Sequence, residues 1–211
     1  MARVSDDPPA LLIDFGGVIT ESVHEAFERA CLAYGVDPQG FIGEVFAAQH
    51  SDDSPFALIE SGRIGLDEFR QRLAAVLARH SHRSVDAAAW WNDVQQTTGH
   101  VDPLMADALQ NLFDRGIQTV LVSNSWGPRE TYPWGMLPEF TAVLLSGEVG
   151  LRKPDPNIYR LAHRHIGRDA RECLFIDDVA VNLAPARELG MSVYLHRRRD
   201  ETLAELRRVY G

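Results

Sequence analysis

The side chains best suited to chemistry are carboxylates, a hydroxyl and an ammonium that each follow a short apolar run. Asp14 follows the run Ala10–Ile13, Ser123 ends a β-branched run, and the pair Asp177–Asp178 ends a third. Lys153 lies in G-L-R-K-P-D-P, after a fourth run. Buried carboxylates are costly unless they are paired, hydrogen-bonded or bound to a metal. Carboxylates without cysteine ligands favour Mg²⁺, and a metal, a lysine and a hydroxyl together suit a phosphate group.

Two further features bear on these residues. Gly16 and Gly17 follow Asp14, so the chain can turn tightly there and bring backbone N–H groups close to a ligand. Lys153 is the one lysine among 21 basic residues, and its compact ammonium cannot be replaced by the planar fork of arginine where a point charge is needed. The alternatives are structural: Asp14 would cap a turn or helix, and Asp177–Asp178 would be a solvated turn.

The apolar runs predict strands that alternate with helices. The predicted strands cover residues 10–13, 117–122, 142–145, 173–176 and 192–195. In the part of the chain after residue 100, the predicted helices cover residues 104–115, 156–166, 180–189 and 201–209. This alternation predicts an α/β fold, a Rossmann-like three-layer core around a parallel sheet. Ligands of such sheets bind beyond the carboxyl ends of the strands, so we expect the polar residues above to meet at one edge.

Residues 20–99 have no strand pattern. Helical spacing predicts helices over residues 24–34, 38–48, 54–62, 67–79 and 85–96, with Trp90 and Trp91 as packing residues. We therefore expect two domains, a core made of residues 1–19 and 100–211 and an all-helical insertion made of residues 20–99.

Composition excludes several classes of protein. A net charge of −9 argues against a nucleic-acid surface, and no apolar run of about 18 residues predicts a membrane span. The first residues lack the apolar stretch of a signal peptide. Cys31 and Cys173 lie far apart without the spacing of a zinc site, so we expect the reducing cytoplasm. Exposed apolar residues are compatible with a homodimer, which nothing in the sequence requires.

Four motifs in order carry a resemblance to a known family. They are D-F-G-G-V at residues 14–18, V-S-N at 122–124, K-P at 153–154 and F-I-D-D-V-A-V-N at 175–182. Together they resemble the haloacid dehalogenase superfamily of aspartate-nucleophile hydrolases, and the helical insertion resembles its C1-type cap. Within that superfamily the chain is most similar to phosphatase domains related to the N-terminal domain of mammalian soluble epoxide hydrolase and to bacterial glucose-1-phosphatase-like proteins.

The resemblance implies a role for each metal-site residue. Asp14 would be the nucleophile that forms an aspartyl-phosphate, and its other oxygen would bind Mg²⁺. The backbone carbonyl of Gly16 and the carboxylate of Asp178 would also bind the metal, and Asp177 would do so directly or through water. Asn182 would orient this acidic loop.

The resemblance also implies which residues hold a small phosphorylated metabolite. Ser123, the backbone of Asn124 and Lys153 would bind the phosphate, and Lys153 would offset the charge of the carboxylates. Trp126 follows the second motif closely enough to line the cleft and touch the substrate.

One position departs from the pattern of these phosphatases. They usually carry a second Asp two residues after the nucleophile, which protonates the leaving group, and here that residue is Gly16. General acid–base help is worth about 10²–10⁴-fold in rate. We therefore expect a Mg²⁺-dependent phosphomonoesterase of modest activity that favours good leaving groups, namely aryl phosphates, acyl phosphates or sugar 1-phosphates. Glu21 and His24 are the nearest residues that could replace the acid.

Two alternatives remain open. L-2-haloacid dehalogenases also lack the second Asp, because halide leaves without a proton, but an Asp-Asp pair argues for a metal and against this reaction. A protein that binds a phosphorylated metabolite or a protein partner without turnover is the other alternative, and Gly16 is the reason to consider it.

Overall fold

A parallel five-stranded sheet forms the centre of the protein, with strand order β3-β2-β1-β4-β5. The computed structural model describes residues 7–48 and 51–211, so residues 1–6 of the predicted core, including the N-terminal segment examined for a signal peptide, and residues 49–50 of the predicted insertion lie outside the description. The strands are β1 (Ala10–Ile13), β2 (Thr119–Ser123), β3 (Ala142–Leu145), β4 (Cys173–Asp177) and β5 (Ser192–Leu195).

The predicted strands are all present, and β1, β3 and β5 have the predicted bounds. The start of β2 differs, because Ile117 donates its amide to the carbonyl of Leu112 at 3.0 Å and so closes the preceding helix. Pairing with β1 then begins at Thr119, opposite Leu11. β4 continues one residue further than predicted, to Asp177.

β1 is the central strand, and its register brings the predicted site residues to one edge. Leu12 pairs with Val120 of β2 and with Phe175 of β4. The three strands run in the same direction, so their carboxyl ends meet. Asp14 follows β1, while Ser123 and Asp177 are the last residues of β2 and β4.

Five helices follow β1 in the chain and form a unit of their own before the chain returns to the sheet. They are α1 (Val23–Tyr34), α2 (Pro38–Ala47), α3 (Pro55–Glu60), α4 (Leu66–Arg79) and α5 (Ala87–Thr98), and we call this unit the cap. The cap has its own apolar cluster, in which Trp90 and Trp91 are fully buried, as predicted. Thr20 and Val101 form an antiparallel bridge where the chain enters and leaves the cap. The domain limits at residues 20 and 99 stay a prediction.

The remaining helices cover both faces of the sheet. They are α6 (Pro103–Asp114), α7 (Ser146–Val149), α8 (Pro156–His165), α9 (Ala180–Glu188) and α10 (Arg199–Tyr210). On one face Leu11 and Ile13 share an apolar cluster with α6 and α10, and on the other Leu12 shares one with α8 and α9. This arrangement confirms the predicted three-layer α/β class. Within the described residues, no helix is both long enough and apolar enough to span a bilayer.

Candidate active site

Three carboxylates meet at the carboxyl edge of the sheet. Asp14 lies just past β1, Asp177 ends β4, and Asp178 begins the turn that leads to α9. One oxygen of each lies within 4.8 Å of the others. Asp177 is fully buried and Asp14 is nearly so. The predicted acidic residues therefore form one compact cluster.

Lys153 reaches this cluster from the loop between α7 and α8. Its Nζ lies 2.6 Å from Asp14 Oδ1 and 2.7 Å from Asp177 Oδ2, and its side chain is 1% exposed. Burial lowers the pKa of Lys153, but the charges of Asp14 and Asp177 outweigh burial and raise this pKa above its ordinary value. The ammonium is therefore a permanent charge that holds two carboxylates at once.

One ammonium does not neutralise three carboxylates, and burial together with this imbalance raises the pKa of two of them. Burial raises the pKa of Asp14 to about 8, against the attraction of Lys153 and with help from the charges of Asp177 and Asp178. Burial and the charge of Asp177 raise the pKa of Asp178 to about 7. A further cation would favour the ionised form of both groups.

The donor set fits Mg²⁺. Asp178 Oδ1 is buried and has no hydrogen-bond partner among the described residues, as expected of a ligand atom. A Cβ added at Gly17 would lie 2.2 Å from Asp178 Oδ2, and φ of Gly17 is +81°, so a larger residue there would push this carboxylate away. Gly16 lies beside the cluster and lines the cavity above it. Clustered oxygen donors of this kind suit a hard cation.

Asn182 of α9 fixes the deepest of the three carboxylates. Its Nδ2 lies 3.0 Å from Asp177 Oδ1 and 3.1 Å from Oδ2. The amide of Val179 donates to Asp177 Oδ1 at 2.8 Å. Tyr159 donates its hydroxyl to the carbonyl of Asn182 at 2.7 Å and so ties this end of α9 to α8.

The polar residues at the end of β2, Ser123 and Asn124, each have a fixed partner in the site. Ser123 Oγ is 2.8 Å from the hydroxyl of Tyr132, a buried residue that the sequence analysis missed. Asn124 brackets the backbone of Lys153: its Oδ1 accepts from the Lys153 amide at 2.8 Å, and its Nδ2 donates to the Lys153 carbonyl at 3.0 Å.

A cavity of about 440 Å³ lies between this edge and the cap. Its floor includes Asp14, Ser123, Asn124, Lys153 and Asp178. Its cap side is mainly apolar and includes Val23, Val45 and three phenylalanines, Phe27, Phe46 and Phe56.

Trp126 lines the cavity but is held in place by the cap. Its Nε1 donates to Glu60 Oε1 at 3.0 Å, and its ring is stacked on Phe27 with centroids 5.8 Å apart. Its indole N–H is thus committed to the cap, which leaves the ring as the part that faces the cavity.

Of the two residues considered as replacements for the acid, one lines the cavity. His24 does so, at the start of α1. Glu21 is not among the lining residues, and it pairs with Arg29 at 3.1 Å and with His100 at 3.4 Å. Glu21 is therefore occupied elsewhere.

Three residues of the site were missed by sequence analysis: Tyr132, Glu60 and Arg152. Tyr132 lies in an irregular segment after β2, and Glu60 ends a cap helix. Neither carries a pattern that distinguishes it from a packing or surface residue. Arg152 comes directly before the third motif, and this position beside Lys153 was the one signal in the sequence that could have identified it.

Comparison with known proteins gives several curated relatives, among them an epoxide hydrolase and a phosphatase. The chain is 29% identical to bifunctional epoxide hydrolase 2 from Sus scrofa over 96% of the chain, but it spans only 39% of that protein's length. It is 24% identical to D-ribitol-5-phosphate phosphatase from Bacteroides thetaiotaomicron, over 87% of the chain and 89% of the relative.

Solved structures share the fold. A haloacid dehalogenase family enzyme from Bacteroides thetaiotaomicron, in complex with magnesium and inorganic phosphate, matches with a TM-score of 0.61 and 25% identity, covering 90% of this chain and 95% of that one. L-2-haloacid dehalogenase from Xanthobacter autotrophicus matches with a TM-score of 0.64 and 20% identity, over 94% and 82% of the two chains. The family described as haloacid dehalogenase-like hydrolase matches residues 8–190. With its fold and motif order, this match establishes that the chain belongs to the haloacid dehalogenase-like hydrolase family.

Proposed function

We propose that the protein is a Mg²⁺-dependent phosphomonoesterase that acts on a small phosphorylated metabolite through an aspartyl-phosphate on Asp14. The observation that carries the proposal is the contact of Lys153 with both Asp14 and Asp177, beside a buried Asp178 oxygen without a hydrogen-bond partner among the described residues. A nucleophilic carboxylate next to a fixed cation and a set of metal ligands is suited to phosphoryl transfer.

Asp14, Asp177 and Asp178 would hold the metal, with the backbone carbonyl of Gly16. Bound there, Mg²⁺ would neutralise charge on the phosphate and on the crowded carboxylates. The Ser123 hydroxyl, the Asn124 backbone and the Lys153 ammonium would orient the phosphate at the edge of the sheet.

The reaction then has two steps. An oxygen of Asp14 attacks phosphorus, the bond between phosphorus and the ester oxygen breaks, and the leaving group departs with that oxygen. A water molecule next attacks the aspartyl-phosphate, which releases orthophosphate and restores the Asp14 carboxylate. Lys153 favours the attacking form, because its charge opposes protonation of Asp14.

Gly16 limits which esters react quickly. It has no side chain to protonate the departing oxygen, so the leaving group must depart as an anion or take a proton from water. Esters of acidic alcohols therefore react fastest.

The cavity lining also bears on the choice of substrate. Its cap side carries three phenylalanines and two valines, which suit an apolar ring, beside the polar residues His24, Gln95 and Thr98, which could bond to hydroxyls. The larger apolar share leads us to favour aryl phosphates over sugar phosphates among the expected substrate classes. The ribitol-phosphate relative supports phosphate ester hydrolysis, and the magnesium complex of the solved relative supports the metal.

The test is hydrolysis of p-nitrophenyl phosphate with Mg²⁺ and with EDTA, by the intact protein and by Asp14→Asn. We expect Mg²⁺-dependent turnover that falls by at least about 10³-fold in the variant, since the nucleophile is lost. Absence of turnover by the intact protein would contradict the proposal. Chloride release from 2-chloropropionate without Mg²⁺ would then indicate a dehalogenase, and phosphate binding without hydrolysis of any ester would indicate a binding protein.

A further inference from the structure

Glu60 is a carboxylate of the cap whose side chain accepts hydrogen bonds from residues of the core. It is the last residue of α3, and its side chain is 13% exposed. Its Oε1 accepts from Trp126 Nε1 at 3.0 Å, and its Oε2 accepts from Arg152 Nη1 at 3.1 Å and from Asn124 Nδ2 at 3.3 Å. Asn124 and Trp126 follow β2, and Arg152 precedes Lys153. We call these four residues the Glu60 clamp: Glu60, Asn124, Trp126 and Arg152.

The backbone at the end of α3 also contacts the core. Ser146 Oγ donates to the carbonyl of Glu60 and accepts from the amide of Ser125 at 2.9 Å. The amide of Gly147 donates to Ser125 Oγ at 2.9 Å. A Cβ at Gly62 would lie 2.5 Å from the carbonyl oxygen of Gly147, so the two backbones approach closely there. The end of α3 is therefore a fixed contact between cap and core.

Asn124 connects the clamp to the catalytic lysine. An amide nitrogen has two hydrogens, and Asn124 Nδ2 donates one to the Lys153 carbonyl and one to Glu60. Asn124 Oδ1 accepts from the Lys153 amide. The side chain cannot rotate without breaking one of these bonds, so Glu60 fixes Asn124, and Asn124 fixes the backbone from which Lys153 reaches Asp14.

Both oxygens of Glu60 accept hydrogen bonds from N–H donors. Burial raises the pKa of Glu60, while the hydrogen bond from Trp126 and the charge of Arg152 oppose that rise. The contribution of Glu60 is to hold its partners in place. We propose that Glu60 is a positioning residue of the phosphate site, through which the cap holds Lys153 in place.

The test compares Glu60→Gln with Glu44→Gln. Both variants replace a carboxylate of the cap by an amide of the same shape. Glu44 pairs with Arg79 and with His80, which both belong to the cap, so Glu44→Gln removes a similar charge without touching the core. The readout is hydrogen exchange at the amides of Ser125, Gly147 and Lys153.

We expect exchange at these three amides to be about tenfold faster in Glu60→Gln and unchanged in Glu44→Gln, because a bond to a charged group is worth about that factor or more. Equal exchange in Glu60→Gln and the wild-type protein, or the same acceleration in both variants, would overturn the proposal. If Glu60→Gln does not fold, Trp126→Phe keeps an aromatic ring and removes the indole N–H that donates to Glu60. Exchange rates in that variant equal to those of the wild-type protein would overturn the proposal as well.

The second readout is kinetic and rests on the proposed function. With p-nitrophenyl phosphate, Glu60→Gln should lower kcat/KM about tenfold and weaken inhibition by orthophosphate, while Glu44→Gln leaves both unchanged. Unchanged kinetics in a folded Glu60→Gln would contradict a role at the phosphate site. If the wild-type protein hydrolyses no ester, the proposed function fails, and the exchange experiment still decides whether the clamp holds Lys153.

Discussion

Lys153 is the residue on which the charge balance of the site depends. Its ammonium lies within 2.7 Å of oxygens of Asp14 and Asp177 at a position that is almost inaccessible to water. The position needs a compact charge at the end of a flexible stem, which suits lysine better than the planar guanidinium of arginine. This preference for lysine agrees with the composition of the chain, in which Lys153 is the one lysine among 21 basic residues.

We predict that Lys153→Met destabilises the metal-free protein by about 3 kcal/mol, because it leaves two buried carboxylates without their cation. Lys153→Arg should retain more stability and still lose most activity, because the guanidinium keeps the positive charge but does not have the compact shape of the ammonium. Denaturant unfolding in EDTA and kcat/KM with p-nitrophenyl phosphate measure the two effects. A Lys153→Arg variant with full activity would contradict the need for a point charge.

Gly16 is the residue that we propose limits the chemistry, and the structure shows what introducing an acid there requires. A Cβ at Gly16 would lie 3.1 Å from Val23 Cγ2, which is tight but is the one close contact. No left-handed backbone conformation excludes a side chain there. A carboxylate could therefore be introduced if Val23 is shortened.

We predict that Gly16→Asp with Val23→Ala speeds hydrolysis of alkyl phosphates by about 10²-fold and of p-nitrophenyl phosphate by far less, because the proton matters most for poor leaving groups. The slope of log kcat/KM against leaving-group pKa measures this, with Val23→Ala alone as the control. An unchanged slope would show that the missing carboxylate is not what limits the enzyme.

At the scale of elements, the start of α9 positions the acidic turn after β4. Asn182 contacts both oxygens of Asp177, and the hydroxyl of Tyr159 on α8 fixes the Asn182 carbonyl. The orientation of this proposed metal ligand thus depends on the packing of two helices against the sheet.

Asn182→Ala should weaken the apparent affinity for Mg²⁺ by about 10–100-fold, the usual effect of removing a group that orients a ligand. A Mg²⁺ titration of p-nitrophenyl phosphate hydrolysis gives this affinity. Asn157→Ala is the matched control, since Asn157 lies exposed on α8 and contacts Arg160. Equal Mg²⁺ affinity in the two variants would argue against this role for Asn182.

Elements with a strong local signal could be predicted from the sequence. The buried strands and the capped helices were predicted to within about two residues, because apolar periodicity and cap residues such as Asp102 are local properties. The four-residue helix α7 was missed, since its start at Ser146 is held by contacts with Glu60 and Ser125. Such contacts are set by the fold and leave no periodic pattern.

The candidate site likewise contains residues that local sequence patterns predict and residues that only the fold brings there. The residues after the strands could be predicted to meet, because parallel strands share an edge. Glu60 and Tyr132 could not, because they reach the site from a cap helix and an irregular segment whose position depends on the whole fold. The hydrogen bond between Trp126 and Glu60 could not be predicted for the same reason.

For the whole molecule, location and assembly remain predictions. The large exposed apolar residues Leu32, Leu104 and Met136 are single side chains on different segments. Isolated residues of this kind are normal on a monomer and do not by themselves define an interface. Measurement of the mass in solution tests the homodimer with which the sequence is compatible, and the distribution in the cell tests the predicted cytoplasmic location.

The acidic cluster couples the stability of the whole molecule to pH and to metal. The folded-state pKa values of Asp14, about 8, and Asp178, about 7, lie above the ordinary value of 3.8, so the folded protein binds these protons more tightly than the unfolded chain does. The stabilisation is complete below about pH 4 and is lost as pH rises through the folded-state values. Metal binding needs the ionised carboxylates, so it opposes this loss.

We therefore predict that the Tm in EDTA falls between about pH 6 and pH 8.5, and that Mg²⁺ raises the Tm more at the higher pH. Thermal unfolding at both values, with EDTA and with Mg²⁺, measures the effect. Asp178→Asn should show a shallower fall in EDTA and a smaller response to Mg²⁺, because it removes one raised carboxylate and one ligand. A Mg²⁺-induced rise in Tm that is equal at both pH values and in the variant would mean that the ion binds elsewhere, and Lys153 would then be the cation that offsets the charge of the acidic cluster.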